Sequence, residues 1–210
     1  MKINTLITAH SGAENTVDNT LESIRVMAAC GADIFEADVR VSDGKLVMSH
    51  DEPKGGADEL EECFKIMQQH ERVCAQMDLK MGGMVERIDA LAQKYGLSKR
   101  LIYAGSVSDA DAEYARAHGL TVWYNNDSLP EGSDWIKGID ALGFDTLNLH
   151  YGDADEELLS ENAHRLSVWT VDDEAMLRKL LTAGVKGITT KYPVLAVRLR
   201  DEIQKNGKDD

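Results

Sequence analysis

Near the amino end of the chain, His10, Glu36, Asp38, His50, Asp78 and Lys80 are side chains whose types and spacing suit one another chemically. Glu36 and Asp38 are two residues apart, as are Asp78 and Lys80, so in an extended strand each pair leaves on the same face. Carboxylates crowded on one face repel and raise one another's pKa. A hard divalent cation relieves that crowding through oxygen ligands. Glu36, Asp38 and Asp78 therefore read as a Mg²⁺ or Ca²⁺ site with open positions. Surface ion pairing, for instance Asp78 with Lys80, is the plainer alternative. His10 and His50 are the natural acid and base, because imidazole titrates near neutrality and passes protons in both directions. Lys80 offers a clamp for an anion. His70, His118 and His164 fall in predicted helices or their caps and read as structural, while His150 ends a predicted strand and is intermediate.

Such a set needs a scaffold that gathers strand ends. The hydrophobic pattern predicts strands over Ile3–Ala9, Asp33–Val39, Val73–Leu79, Leu101–Ala104, Thr121–Tyr124, Thr146–His150, Ser167–Val171 and Gly187–Thr190, each followed by a helical stretch. Asp43-Gly44, between Val39-Arg40-Val41 and Leu46-Val47-Met48, predicts a hairpin after the second strand. Gly31, Gly119, Gly143 and Gly184 each close a helix just before a strand, which suits αβ loops. Alternating βα units predict a parallel sheet, and eight of them a closed (β/α)₈ TIM barrel. A doubly wound open sheet is the rival. In a barrel, functional side chains come from the carboxyl ends of the strands and the loops beyond, and His10, Glu36, Asp38, His50, Asp78 and Lys80 all fall there.

The chain has 210 residues with Lys+Arg 23 and Asp+Glu 37, a formal net charge of −14. That length predicts one domain over residues 1–210, with no linker or repeat. The acidic surface repels phosphate backbones, so nucleic acid is not the expected partner, and an anionic substrate would need a local cation. No stretch reaches the roughly 18 apolar residues of a membrane span. The short apolar start lacks a cleavage site, and a cytoplasmic location is expected. Cys30, Cys63 and Cys74 are odd in number and lack metal-ligand spacing, so reduced thiols are expected. Oligomeric state is not legible.

These motifs resemble the glycerophosphodiester phosphodiesterase family. His10-Ser11-Gly12 stands where that family has His-Arg-Gly. Asp18-Asn19-Thr20-Leu21, Gly31-Ala32-Asp33-Ile34-Phe35-Glu36-Ala37-Asp38-Val39, Asp43-Gly44 and His50-Asp51 follow its opening pattern in order. Its Glu-x-Lys appears as Asp78-Leu79-Lys80, and Val168-Trp169-Thr170-Val171 and Gly184 to Pro193 are similar to its closing strands. The resemblance covers both ends and thins in the middle. It implies a metal-dependent phosphodiesterase acting on a small-molecule diester, with Glu36, Asp38 and Asp78 on the metal, Mg²⁺ or Ca²⁺. Further, it implies catalysis by His10 and His50, and substrate contacts from Lys80, Trp169 and the position of Ser11.

Four departures shape the expectation. Ser11 replaces the arginine that would grip phosphate bidentately, and Asp78 is one methylene shorter than the usual glutamate. Thr190-Lys191-Tyr192-Pro193 carries a cation where the family has a carboxylate. Only Glu52–Met77 separates His50 from Asp78, which leaves a reduced or absent capping insertion. The first two departures also occur in sphingomyelinase D-like enzymes, which form a cyclic phosphate, and a non-catalytic phosphate-binding relative is a further alternative. Trp123 to Asp127 end the fifth strand as candidate pocket wall.

Overall fold

The computed structural model describes residues 4–206. The predicted start at Ile3 and the last four residues lie outside that range. In chain order the elements are β1 (Leu6–Ala9), α1 (Leu21–Ala29), β2 (Ile34–Ser42), β3 (Lys45–Met48), α2 (Leu60–Met67), β4 (Cys74–Leu79), α3 (Val85–Lys94) and β5 (Leu101–Gly105). They continue with α4 (Asp109–His118), β6 (Thr121–Asn125), α5 (Trp135–Ala141), β7 (Thr146–His150), α6 (Glu156–Asn162), β8 (Leu166–Trp169), α7 (Glu174–Ala183), β9 (Gly187–Thr190) and α8 (Pro193–Asn206).

Strands β1, β9, β8, β7, β6, β5, β4 and β2 are hydrogen-bonded in that order, all parallel, and β1 also pairs with β2. That last pairing closes the ring. The expected (β/α)₈ TIM barrel is what forms, with β3 as an antiparallel hairpin partner of β2. Asp43 and Gly44 both take positive φ, as an Asp-Gly hairpin turn requires. Between β3 and β4 the described residues hold only α2 and its loops, so there is no separate capping insertion.

Strand parity explains the layering. Phe35, Ala37 and Val39 of β2 face the helices and join the main apolar core, while Glu36 and Asp38 alternate inward. At the amino end the interior is closed by Ile34, Ile102 and Trp123, packed with Leu6 and Cys74. Trp123 is therefore a barrel plug and not a pocket wall, because parity aims it inward one layer below Asn125. Higher in the barrel the interior turns polar, with Thr8, Gln76, Asn148, Ser167 and Thr189 all buried. At the carboxyl end it becomes acidic.

Candidate active site

Two strands set the central geometry. Asp38 on β2 and Asp78 on β4 are register partners, and Glu36 pairs with Gln76 one layer down. Parallel register plus i, i+2 spacing thus tiles three carboxylates and a carboxamide on one inward face. Glu36, Asp38 and Asp78 each offer an oxygen within 4.8 Å of the others. The sequence places the first pair at a strand end. In the structure β2 runs on to Ser42, because it switches partner from β4 to the hairpin strand at the barrel rim. The carboxylates consequently sit inside the mouth and not on the rim.

Burial and mutual repulsion set their electrostatics. Glu36 is 4% exposed and its carboxyl is pushed well above the usual range, first by burial and then by Asp38 and Asp78. Its described hydrogen-bond donor is the Ser11 backbone N–H at 2.9 Å. Lys80 Nζ lies 2.7 Å from Asp38 Oδ1 and 2.7 Å from Asp78 Oδ2, bridging the pair. Burial raises Asp38, but Lys80 and Asn19 outweigh it and hold that carboxyl below the usual range. In Asp78 burial prevails over Lys80, and the pKa is raised.

This donor set fits a hard divalent cation. Three hard oxygen donors converge, and Glu36, the most buried of them, has no cation partner of its own among the described residues. An isolated buried carboxylate either takes a proton or takes a cation.

His10 and His50 both line the same cleft, of about 460 Å³, together with the three carboxylates, Lys80 and Trp169. His10 Nδ1 lies 2.7 Å from the Ser11 carbonyl oxygen, which only accepts, so Nδ1 carries hydrogen and the neutral ring keeps its lone pair on Nε2. His50 Nδ1 faces the Asp51 carboxylate at 3.0 Å. Trp169 stands edge-on to His150, with ring centroids 5.6 Å apart, and its Nε1 is buried without an acceptor.

Ser11 is not brought to the cleft. It is 1% exposed, its Oγ accepts the Asn19 backbone N–H at 2.7 Å, and its own N–H holds Glu36. The expected substrate contact at this position is thereby corrected: the short side chain is buried against the Asn19 backbone, and it is the backbone N–H of Ser11 that holds a carboxylate. Lys191 turns its ammonium towards Asp18, 4.0 Å away, outside the cleft lining. His150 accepts the Gly152 N–H, and His118 stacks on Tyr114 at 3.9 Å, so the latter is structural as expected.

Sequence reasoning missed Asn19, Gln76, Gly105 and Asn148, whereas Asn125 and Asp127 of the predicted pocket wall do line the cleft. Gln76 and Asn148 line it as well, and Asn19 binds Asp38. Gln76 had a usable signal, lying two residues before Asp78 on the same strand face. Asn125 ends β6 and Asn148 lies in the middle of β7, and only the register pairs them.

Fold and cleft together define a (β/α)₈ barrel whose carboxyl face presents clustered carboxylates flanked by imidazoles. Residues 10–81 match the model of the glycerophosphoryl diester phosphodiesterase family. Over 95% of this chain and all of the relative, the sequence is 23% identical to a glycerophosphodiester phosphodiesterase of Bacillus altitudinis. The fold is shared with the crystal structure of a glycerophosphodiester phosphodiesterase from Parabacteroides distasonis, at TM-score 0.76 and 24% identity, covering 97% of this chain and 100% of that one. It is shared also with a phosphodiesterase of Oleispira antarctica solved in complex with its product sn-glycerol-3-phosphate, at TM-score 0.75 and 20% identity, covering 93% of this chain and 96% of that one. The family resemblance read from the sequence is borne out. Among the described residues no helix is long and apolar enough to cross a membrane.

Proposed function

We propose that the protein hydrolyses glycerophosphodiesters to glycerol 3-phosphate and an alcohol, with His10 and His50 as the acid–base pair. One observation carries the reading: three convergent carboxylates and two histidines, drawn from the first three βα units, line a single cleft at the carboxyl face of the barrel. Glu36, Asp38 and Asp78 are the residues that would hold a divalent cation, Mg²⁺ or Ca²⁺. When bound, such an ion supplies Lewis-acid stabilisation of charge developing on the phosphoryl oxygens.

The chain's own groups do the rest. His10, with Nδ1–H tied to the Ser11 carbonyl, keeps Nε2 ready to take a proton from the attacking water. His50, oriented by Asp51, hands a proton to the leaving alkoxide. Lys80, already positioned by two aspartates, supplies the cleft's positive charge for the phosphate, a task the buried Ser11 leaves unshared. Trp169 gives the substrate an aromatic wall.

The test is turnover of a panel of glycerophosphodiesters with and without added Mg²⁺ or Ca²⁺, in the wild type, His10→Ala and His50→Ala. The expected loss is roughly 100- to 10,000-fold for each variant. Phosphorus NMR of the product separates glycerol 3-phosphate from a cyclic phosphate. Undiminished turnover in either variant overturns the paired roles, and binding without turnover makes the protein a phosphate binder.

A further inference from the structure

His50 lines the cleft from a loop. It follows β3, in the segment that joins Met48 to Asp58, and its side chain is 67% exposed. The two ends of that segment are fixed. The Ser49 N–H donates to the Asp38 carbonyl oxygen at 3.0 Å, and the Met48 N–H to that of Asp58 at 2.8 Å. Between them run His50 to Ala57, with Gly55 and Gly56 both at positive φ. Consecutive glycines hold no conformation by their own sterics. Ser49 Oγ donates to the Asp51 carbonyl oxygen, and His50 Nδ1 faces the Asp51 carboxylate. Both contacts lie within the segment and would travel with it.

Among the described residues, one side chain from outside the segment makes a hydrogen bond or ion pair to residues 50–57. Arg40 Nε donates to the His50 carbonyl oxygen at 2.8 Å. The second contact of Arg40, 3.9 Å to Glu52, ends on a carboxylate 77% exposed and contributes little.

Chain geometry explains why Arg40 can reach. Val39 is the last β2 residue paired with β4, and Arg40 pairs instead with Val47 of the hairpin. It follows Asp38 by two residues, so it leaves on the same face, about 6–7 Å further along the strand. Arg40 does not line the cleft, and its Nε ends on backbone. The bond has a charged donor, which makes it strong enough to shift a loop between held and loose states by about tenfold or more.

We propose that Arg40 is a positioning residue: by tying the His50 backbone to the end of β2, it holds that imidazole at the cleft. The inference rests on the phosphodiesterase reading above and adds the residue that keeps one of its two histidines in place.

Two substitutions separate the tether from the charge. In Arg40→Gln the carboxamide nitrogen takes the place of Nε on Cδ, so the donor stays and the charge goes. Arg40→Met keeps the apolar stem and loses the donor. Backbone relaxation NMR reads the loop without any substrate. Order parameters for His50 and Asp51 should lie near the rigid value of about 0.85 in the wild type and Arg40→Gln, and fall below about 0.6 in Arg40→Met. Values unchanged in Arg40→Met, or a wild-type loop already as loose as that variant, overturn the tether. Equal loosening in Arg40→Gln also overturns it, because charge would then be the cause.

Turnover of a glycerophosphodiester reads the consequence. In Arg40→Met, kcat should fall about tenfold with KM changed less than about twofold, because the imidazole acts in the transition state. Arg40→Gln should recover to within about threefold of wild type, its neutral donor forming the weaker bond. Placed in His50→Ala, Arg40→Met should lower kcat by less than about twofold more, since the group it positions is already gone. A tenfold loss in both backgrounds overturns the positioning role, and so does undiminished kcat in Arg40→Met. Wild type that cleaves no glycerophosphodiester refutes the phosphodiesterase reading, and the tether is then upheld or overturned by the order parameters on their own.

Discussion

Asn19 clasps Asp38 from two directions. Its Nδ2 donates to Asp38 Oδ2 at 2.6 Å, and its Oδ1 accepts the Asp38 backbone N–H at 3.0 Å. The clasp ties the loop after β1 to the middle of β2, and fixes one oxygen of a carboxylate whose other oxygen holds Lys80. Asn19 sits at φ 58°, a left-handed conformation that asparagine tolerates better than most residues. Asn19→Gly keeps that backbone and deletes the clasp, so the concentration of Mg²⁺ or Ca²⁺ giving half-maximal activity should rise about 10- to 100-fold. Asn19→Ala should show the same rise and melt at a lower temperature as well, since alanine resists positive φ. A glycine variant with an unaltered cation response would reduce Asn19 to a loop residue.

Gly105 ends β5 at φ 78°, next to the third carboxylate. A Cβ there would overlap Asp78 Oδ1 and stand 2.6 Å from the Leu79 carbonyl oxygen, so both the conformation and the space demand glycine. Gly105→Ala should cost about 1–3 kcal/mol from the backbone alone. For a chain of this size that is a fall of roughly 2–4 °C per kcal/mol. The collision also displaces Asp78, so activity should drop further than the melting temperature implies. A variant with wild-type activity and a lowered melting point would show that Asp78 tolerates the shift.

The barrel was legible because its signals are local. Alternating periods, an Asp-Gly turn and helix-ending glycines such as Gly119 and Gly184 each act over a few residues, and the latter two do adopt left-handed caps. The acidic cluster was legible for the same reason, since i, i+2 spacing declares a shared face without any knowledge of the fold. Ser11 misled because the motif fixes a position along the chain, whereas reach into the cleft depends on side-chain length. The contact between Asn125 and Asn148 was hidden for a different reason. The two are 23 residues apart and meet only through parallel register, which no pattern along the chain announces. Trp123 looked like pocket lining from its neighbours in sequence, but inward parity carries it to the opposite end of the barrel.

Glu36 gives the metal-free protein a pH dependence of definite sign. Its pKa in the folded chain lies well above the usual carboxylate value, through burial first and then the neighbouring aspartates. Folding therefore favours the protonated form, and the stability this group contributes is present below the ordinary glutamate pKa and lost as pH rises towards the raised one. Glu36→Gln cannot ionise and escapes that loss. In the presence of chelator, the variant should melt above the wild type at pH 8, and the gap should close as pH falls to the ordinary glutamate range. Added Mg²⁺ or Ca²⁺ should stabilise the wild type and leave the variant nearly unmoved. Equal melting curves at all pH values with chelator would mean that Glu36 ionises in the fold without penalty.

Asp111 works in the opposite sense and away from the chemistry. At the start of α4 its carboxylate accepts the Val85 N–H at 2.8 Å, the Gly83 N–H at 2.6 Å, and from Ser108 both the N–H at 3.0 Å and the Oγ–H at 2.6 Å. It thereby fastens the start of α3 to the start of α4 and holds the βα loop that follows Lys80. Burial raises its pKa, but those four donors outweigh burial and hold it below the usual range. Its contribution to stability is thus present above the ordinary aspartate pKa and lost as pH falls through the depressed one. Asp111→Asn keeps the shape and replaces one acceptor with a donor facing N–H groups, a change costing about 1–3 kcal/mol. Thermal melts at pH 7 should separate the variant from the wild type by several degrees, and the separation should shrink as the pH is taken down through and below the ordinary aspartate range. A gap that stays constant throughout would locate the damage in packing and not in the lost charge.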